Sequence, residues 1–191
     1  MMRMYKRALL ARVAGLAAAL FIAPLFADTK VDFTANVLRD TCQIEADGNG
    51  TVTFATVGPS YFADGITAET DYKGGKEFVI KLVSCPANDG QITFEFTPQS
   101  GQFPAGNKQV FPNDLAPPDG GVENVGVAIF TNNSPRVNVL NTDGSARATF
   151  TAPTYSDTSW TFYARMQKIL SNDAVIPGKL SSRVLVNVEY E

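Results

Sequence analysis

The chain has 191 residues, with 16 Lys and Arg against 19 Asp and Glu, two cysteines and no histidine. Without imidazole, Ser-His-Asp and Cys-His nucleophilic chemistry and any histidine-built zinc site are excluded. The acidic balance disfavours nucleic acid and anionic membranes as partners.

In chain order, the opening MMRMYKRALLARVAGLAAALFIAPLFA places Arg3, Lys6, Arg7 and Arg12 before or at the edge of an apolar run, Val13 to Phe26, that has no acidic residue. This is the pattern of a secretory signal peptide over residues 1–27, with cleavage after Ala27 fitting the small-residue rule. The run is too short for a comfortable transmembrane helix. About 164 residues follow, with 12 basic and 19 acidic side chains and a net charge of −7. They are enough for one domain with a real core.

The exported part begins ADTKVDFTANVLRDTC. Thr29, Val31, Phe33, Ala35 and Val37 alternate against Asp32, Thr34 and Asn36, which predicts an extended strand with one apolar side. Two readings stand: a first strand folding onto its own sandwich, or a face offered to another molecule. Further strands are predicted at TVTFATV (51–57), KEFVIKLV (76–83), QITFEF (91–96), VGVAIF (125–130), RVNVL (136–140), ARATF (146–150), SWTFYARM (159–166) and RVLVNVEY (183–190). All are rich in β-branched and aromatic residues, and turn chemistry such as DGNG, YKGG, PANDG, APPDGG and NTDGS separates them. VNVLNTDGSARATF reads as a hairpin with Asp143-Gly144 at its tip. The Pro/Gly-rich span from Pro98 to Gly121 reads as a surface connection. No stretch after the leader holds a helical period for ten residues, so the expected architecture is an all-β sandwich with Greek-key connections.

The cysteines, Cys42 and Cys85, both fall in the exported part, where one disulfide is the natural reading. Closing a loop of about 44 residues would contribute roughly 4 kcal/mol in the chain-entropy description. Two free thiols, or half of a metal site, are the alternatives. Carboxylate-only hydrolysis needs two acidic residues, but Asp47, Asp64, Asp89, Asp119 and Asp143 sit in turns, where Asp is expected for its hydrogen bonds to backbone. No catalytic residue, metal ligand, phosphate loop or small-molecule cofactor site is expected, and the chain does not read as an enzyme.

The chain ends VLVNVEYE, with Val184, Val186, Val188 and Tyr190 on one face. A strand that stays apolar to the penultimate residue has to be covered by something. Here the sequence resembles the pilins of the chaperone–usher class, closest to the minor tip-fibrillum subunits of type 1 fimbriae. The resemblance rests on the short alternating extension running into Arg39-Asp40-Thr41-Cys42, the second cysteine in LVSCP (82–86), NVGVAIF (124–130), FYARM (162–166) and the terminal PGKLSSRVLVNVEYE. In this order, with this cysteine spacing, these elements span the mature chain.

The resemblance implies an incomplete immunoglobulin-like Greek-key sandwich lacking its seventh strand, with one disulfide. Residues 28–41 would be an N-terminal donor-strand extension and 42–191 the pilin domain. Val184, Val186, Val188 and Tyr190 would wall an acceptor groove, with Glu191 meeting the basic cleft of a periplasmic chaperone. Thr29, Val31, Phe33, Ala35 and Val37 would insert into the groove of a neighbouring pilin, in exchange for the chaperone's strand at an outer-membrane usher. The family usually has glycine where Ala35 stands. The implied path runs through the periplasm to a fimbrium on the cell surface, supporting adhesion. The 14 or 15 residues before Cys42 match the adaptor subunits that join rod to adhesin. The alternative is a self-complete secreted β-sandwich that binds a glycan or protein through loop aromatics such as Tyr61, Phe62, Phe103 and Phe111; for these the plainer reading is as anchors tucked onto the core.

Overall fold

A computed structural model describes residues 29–37, 43–62, 66–70, 72–83, 90–141, 144–151 and 158–190. Cys42, Cys85, Glu191, Asp64, Asp89, Asp143 and the leader lie outside them, as do the side chains of Thr29, Ala35, Val37 and Tyr190.

Among the described residues, nine strands form two sheets: β1 (Thr29–Val37), β2 (Gln43–Ala46), β3 (Thr51–Phe54), β4 (Lys76–Val83), β5 (Gln91–Pro98), β6 (Val125–Thr131), β7 (Arg147–Thr151), β8 (Thr158–Lys168) and β9 (Ser181–Tyr190). One sheet has the order β3-β1-β9-β5-β7 and the other β2-β4-β8-β6. The architecture is all-β and consistent with an immunoglobulin-like pilin sandwich. Alternation dictates the core: Phe78, Ile80 and Leu82 of β4 and Ile92, Phe94 and Phe96 of β5 are buried. Phe162 of β8 packs among Phe78, Phe94 and Phe96, with ring centroids 5.2–5.6 Å apart. Such aromatic packing adds about 0.5–1.5 kcal/mol per pair beyond area burial.

Two expectations are corrected. Residues 136–140 form no strand; they touch their neighbours through the single bridges Phe130↔Asn138 and Leu140↔Ala146. Asn138 is the cause. Its amide donates to the carbonyls of Ala68 (2.6 Å) and Gln109 (3.2 Å), and its oxygen accepts from the Leu140 N–H (2.8 Å). A buried side chain that bonds backbone in this way displaces a sheet ladder. Asn141 N–H donates to Ser145 O at 2.7 Å, while the expected tip at Asp143 lies outside the described residues, and β7 pairs instead with β5.

The Pro98–Gly121 span is not merely a surface connection. Val110 and Phe111 are buried, and Phe111 pairs with Val127 of β6. A side chain at Gly126 would meet the Phe111 carbonyl oxygen at 2.2 Å, so glycine there lets this segment lie across the sheet. Covered on both faces, β6 is buried from Val125 to Phe130, which is why VGVAIF is continuously apolar rather than alternating. QIEA, which no sequence signal singles out, is an edge strand, β2, paired with β4; four residues are too few for a periodic signal.

FYARM acquires a physical role as well. Arg165 is 1% exposed, and its guanidinium donates to the carbonyls of Thr67 (2.6 Å) and Thr70 (2.7 Å) and to the Gln167 side chain, over the ring of Phe130. Gln167 in turn donates to Ile66 O at 3.0 Å. The loop 66–70 is thus tied to β8 from inside. Buried charge tolerates this position because carbonyl oxygens replace water.

Beside this network, burial pushes the Tyr61 phenol up to about 12, partly opposed by Arg165. The folded state holds the phenol neutral, so its contribution to stability is intact below about pH 10 and is lost as pH rises toward 12. We expect the unfolding midpoint of Tyr61→Phe to gain on that of the native chain across this window; parallel curves would show that Tyr61 ionises freely in the fold.

Candidate functional site

The site is built around the two ends of the chain. β9 alternates so that Ser182, Val184, Val186 and Val188 are at most 1% exposed while Arg183, Leu185, Asn187 and Glu189 face outward to differing degrees. Its start is pinned by the 113–114 segment: Ser181 N–H donates to Asn113 Oδ1 (2.9 Å), and Arg183 pairs with Asp114 at 3.0 Å. On one side β9 pairs antiparallel with β5, from Pro98↔Val184 to Ile92↔Tyr190. On the other side lies β1.

β1 fills a slot one strand wide. It pairs parallel with β9 from Lys30↔Ser181 to Val37↔Val188, and antiparallel with β3 from Thr29↔Phe54 to Asp32↔Thr51. β3 and β9 are not paired with each other; without β1 they would stand about 10 Å apart, twice the inter-strand spacing. Val31 is fully buried and Phe33 is 8% exposed, its ring stacked on Phe78 at 4.3 Å. Burying these two is worth roughly 1.5–3 kcal/mol each. On the outer face, the Thr51 hydroxyl donates to Asp32 Oδ1 at 3.1 Å. Beyond the first residues of β1, where Lys30 N–H meets Leu180 O at 3.1 Å, the slot adjoins an apolar cavity of about 500 Å³ lined by Val57, Phe62, Val125, Met166 and Leu180.

The residues expected at the two ends therefore come together. Val184, Val186 and Val188 face inward beside β1, and the backbones of Thr29, Ala35, Val37 and Tyr190 take their places in the ladders. In the single chain β1 lies in its own sandwich. The loop aromatics of the alternative reading do not assemble a site: Phe111 is fully buried, and Tyr61, Phe62 and Phe103 pack against the core.

Sequence reasoning missed Gly50. It ends the DGNG turn at φ +75°, and a Cβ there would lie 2.5 Å from the Phe33 carbonyl oxygen. The inserted strand passes too close for any side chain. Gly48, two residues earlier, has φ +60° with nothing within 4 Å of its Cβ position. Both alanine variants bear the left-handed strain, of about 1 kcal/mol. Only Gly50→Ala also collides with the strand. We expect Gly50→Ala to lower the urea midpoint well beyond Gly48→Ala; equal losses would mean that the slot has room to spare.

The family model described as Fimbrial protein matches residues 31–191. The chain is 36% identical over 179 residues, 88% of each chain, to the Uncharacterized fimbrial-like protein YadK of Escherichia coli (strain K12). With a two-sheet sandwich whose terminal strand is completed by the chain's first, this chain belongs to the fimbrial protein family and is a structural pilus subunit.

Proposed function

We propose that the subunit assembles by donor-strand exchange, with residues 28–41 as the donated extension and the β3–β9 slot as acceptor. The observation that supports this reading is the slot itself: the strand that fills it is the first of the described chain, has ladder partners only in β3 and β9, and runs parallel to β9 where every other strand pair is antiparallel.

The direction follows from reach. Five residues, 38–42, join β1 to β2, and such a link spans at most about 20 Å. A nine-residue strand is about 27 Å long, so the chain's own extension cannot reverse within the slot. A strand from another molecule can. Antiparallel pairing is slightly more stable per residue than parallel, so a neighbour's extension gains over the subunit's own. This is strand addition to an exposed edge, an edge that would otherwise invite aggregation.

In this reading a periplasmic chaperone covers β9 after the leader, residues 1–27, is removed, and an outer-membrane usher exchanges it for the next subunit. Cys42 and Cys85 form the disulfide. The short extension makes the subunit a minor adaptor near the tip of a fimbrium that supports adhesion. The deciding measurement is native mass of the periplasmic protein with and without its cognate chaperone, followed by mixing with a tagged subunit. A one-to-one chaperone complex that converts to subunit–subunit complexes supports the assignment. A free monomer that never accepts a second extension would make this a self-complete secreted sandwich instead.

A further inference from the structure

The inward row of β9 is apolar except at one place. Leu180 precedes it, Val184, Val186 and Val188 follow, and between them Ser182 is 0% exposed, its hydroxyl lacking any hydrogen-bond partner among the described residues. In the ladder Ser182 stands beside Val31, itself fully buried. A buried hydroxyl without a partner is a destabilising arrangement, and native interiors seldom leave one unpaired. The rest of the slot is matched to its occupant: Phe33 stacks on Phe78, and Gly50 clears the strand's backbone. The mismatch lies at one donor position.

We propose that the slot is selective for a donor strand from another fimbrial subunit that carries Ser or Thr at the position beside Ser182. The inference rests on the donor-strand reading. A hydroxyl there both donates and accepts, so it completes Ser182 whichever way the donor runs, and Thr keeps the volume of Val. The chain's own extension, with Val31, is then the poorer occupant of its own slot. Self-filling leaves the hydroxyl unpaired, and exchange for a hydroxyl-bearing neighbour satisfies it.

Two measurements on the full-length exported subunit test this. The first is a double-mutant cycle of urea midpoints over the native chain, Val31→Thr, Ser182→Val and the double variant. Val31→Thr should hold or raise the midpoint when Ser182 is present and lower it in the Ser182→Val background; an equal drop in both overturns the proposal. The second presents to the subunit synthetic peptides of residues 28–41 with the native sequence, with Val31→Thr or with Val37→Thr; the two substitutions lie at opposite ends of the stretch paired with β9, so one places a hydroxyl beside Ser182 in the parallel direction and the other in the reversed one. One of the Thr peptides should be captured about fivefold better than the native peptide, a preference lost in Ser182→Val. If all the peptides are captured alike, the selectivity is refuted while the exchange reading stands. If none is captured, the exchange reading falls and the midpoints alone decide the pairing of Ser182.

Discussion

Val186→Asp is expected to eliminate the folded subunit from periplasmic extracts whether or not a chaperone is co-expressed. Val186 is 1% exposed, in the middle of β9, with β1 on one side at Ala35 and β5 on the other at Phe96. The sandwich core lies in front of it, and an aspartate there would be a desolvated, unpaired carboxylate. The cost is about 4–5 kcal/mol or more, a large share of the 5–15 kcal/mol that about spans domain stability. A strand inserted from another molecule would not relieve it, because the charge faces the core and not the slot's outer rim. Immunoblotting of soluble periplasm against the native chain is the check, and normal accumulation would remove β9 from the buried wall.

Phe33→Asp should behave differently, and the difference separates the two ways of filling the slot. In the single chain Phe33 is 8% exposed and stacked on Phe78. Losing a buried Phe costs about 3–5 kcal/mol before any charge is counted, so the isolated subunit should unfold at much lower urea. If a chaperone strand occupies the slot, Phe33 is no longer part of the core, and the variant should accumulate to native levels in the chaperone complex. Its defect should appear one step later, as failure to insert into the preceding subunit. Loss of the variant even with the chaperone present would make β1 an ordinary internal strand.

Together the two variants read the same slot from its wall and from its occupant. Val186 belongs to the fold whatever fills the slot, whereas under the proposed exchange Phe33 belongs to it only when the chain serves itself. Gly50 lies between these cases: its missing side chain matters when any strand passes with the path seen for Phe33.

What the amino-acid order determined by itself was local. Alternation in KEFVIKLV, QITFEF and RVLVNVEY needs only the two-residue period of an extended chain against one apolar side, and these segments appear as β4, β5 and β9 with limits within two residues of those expected. The motifs at both ends pointed to the family for the same reason, since they lie within short contiguous stretches. The tertiary structure alone decided what those strands meet. Nothing in VNVLNTDGSARATF announces that Asn138 would bond to Ala68 and Gln109, 70 and 29 residues away, while its segment keeps only a single bridge to β6. Nor does FYARM reveal that Arg165 holds carbonyls nearly a hundred positions earlier. The slot is the same kind of fact: the apolar face of β1 requires a cover, and that in the single chain it lies between β3 and β9, with Gly50 clearing its backbone, is seen only in the fold. These are distances between remote parts of the chain, which a local pattern does not encode.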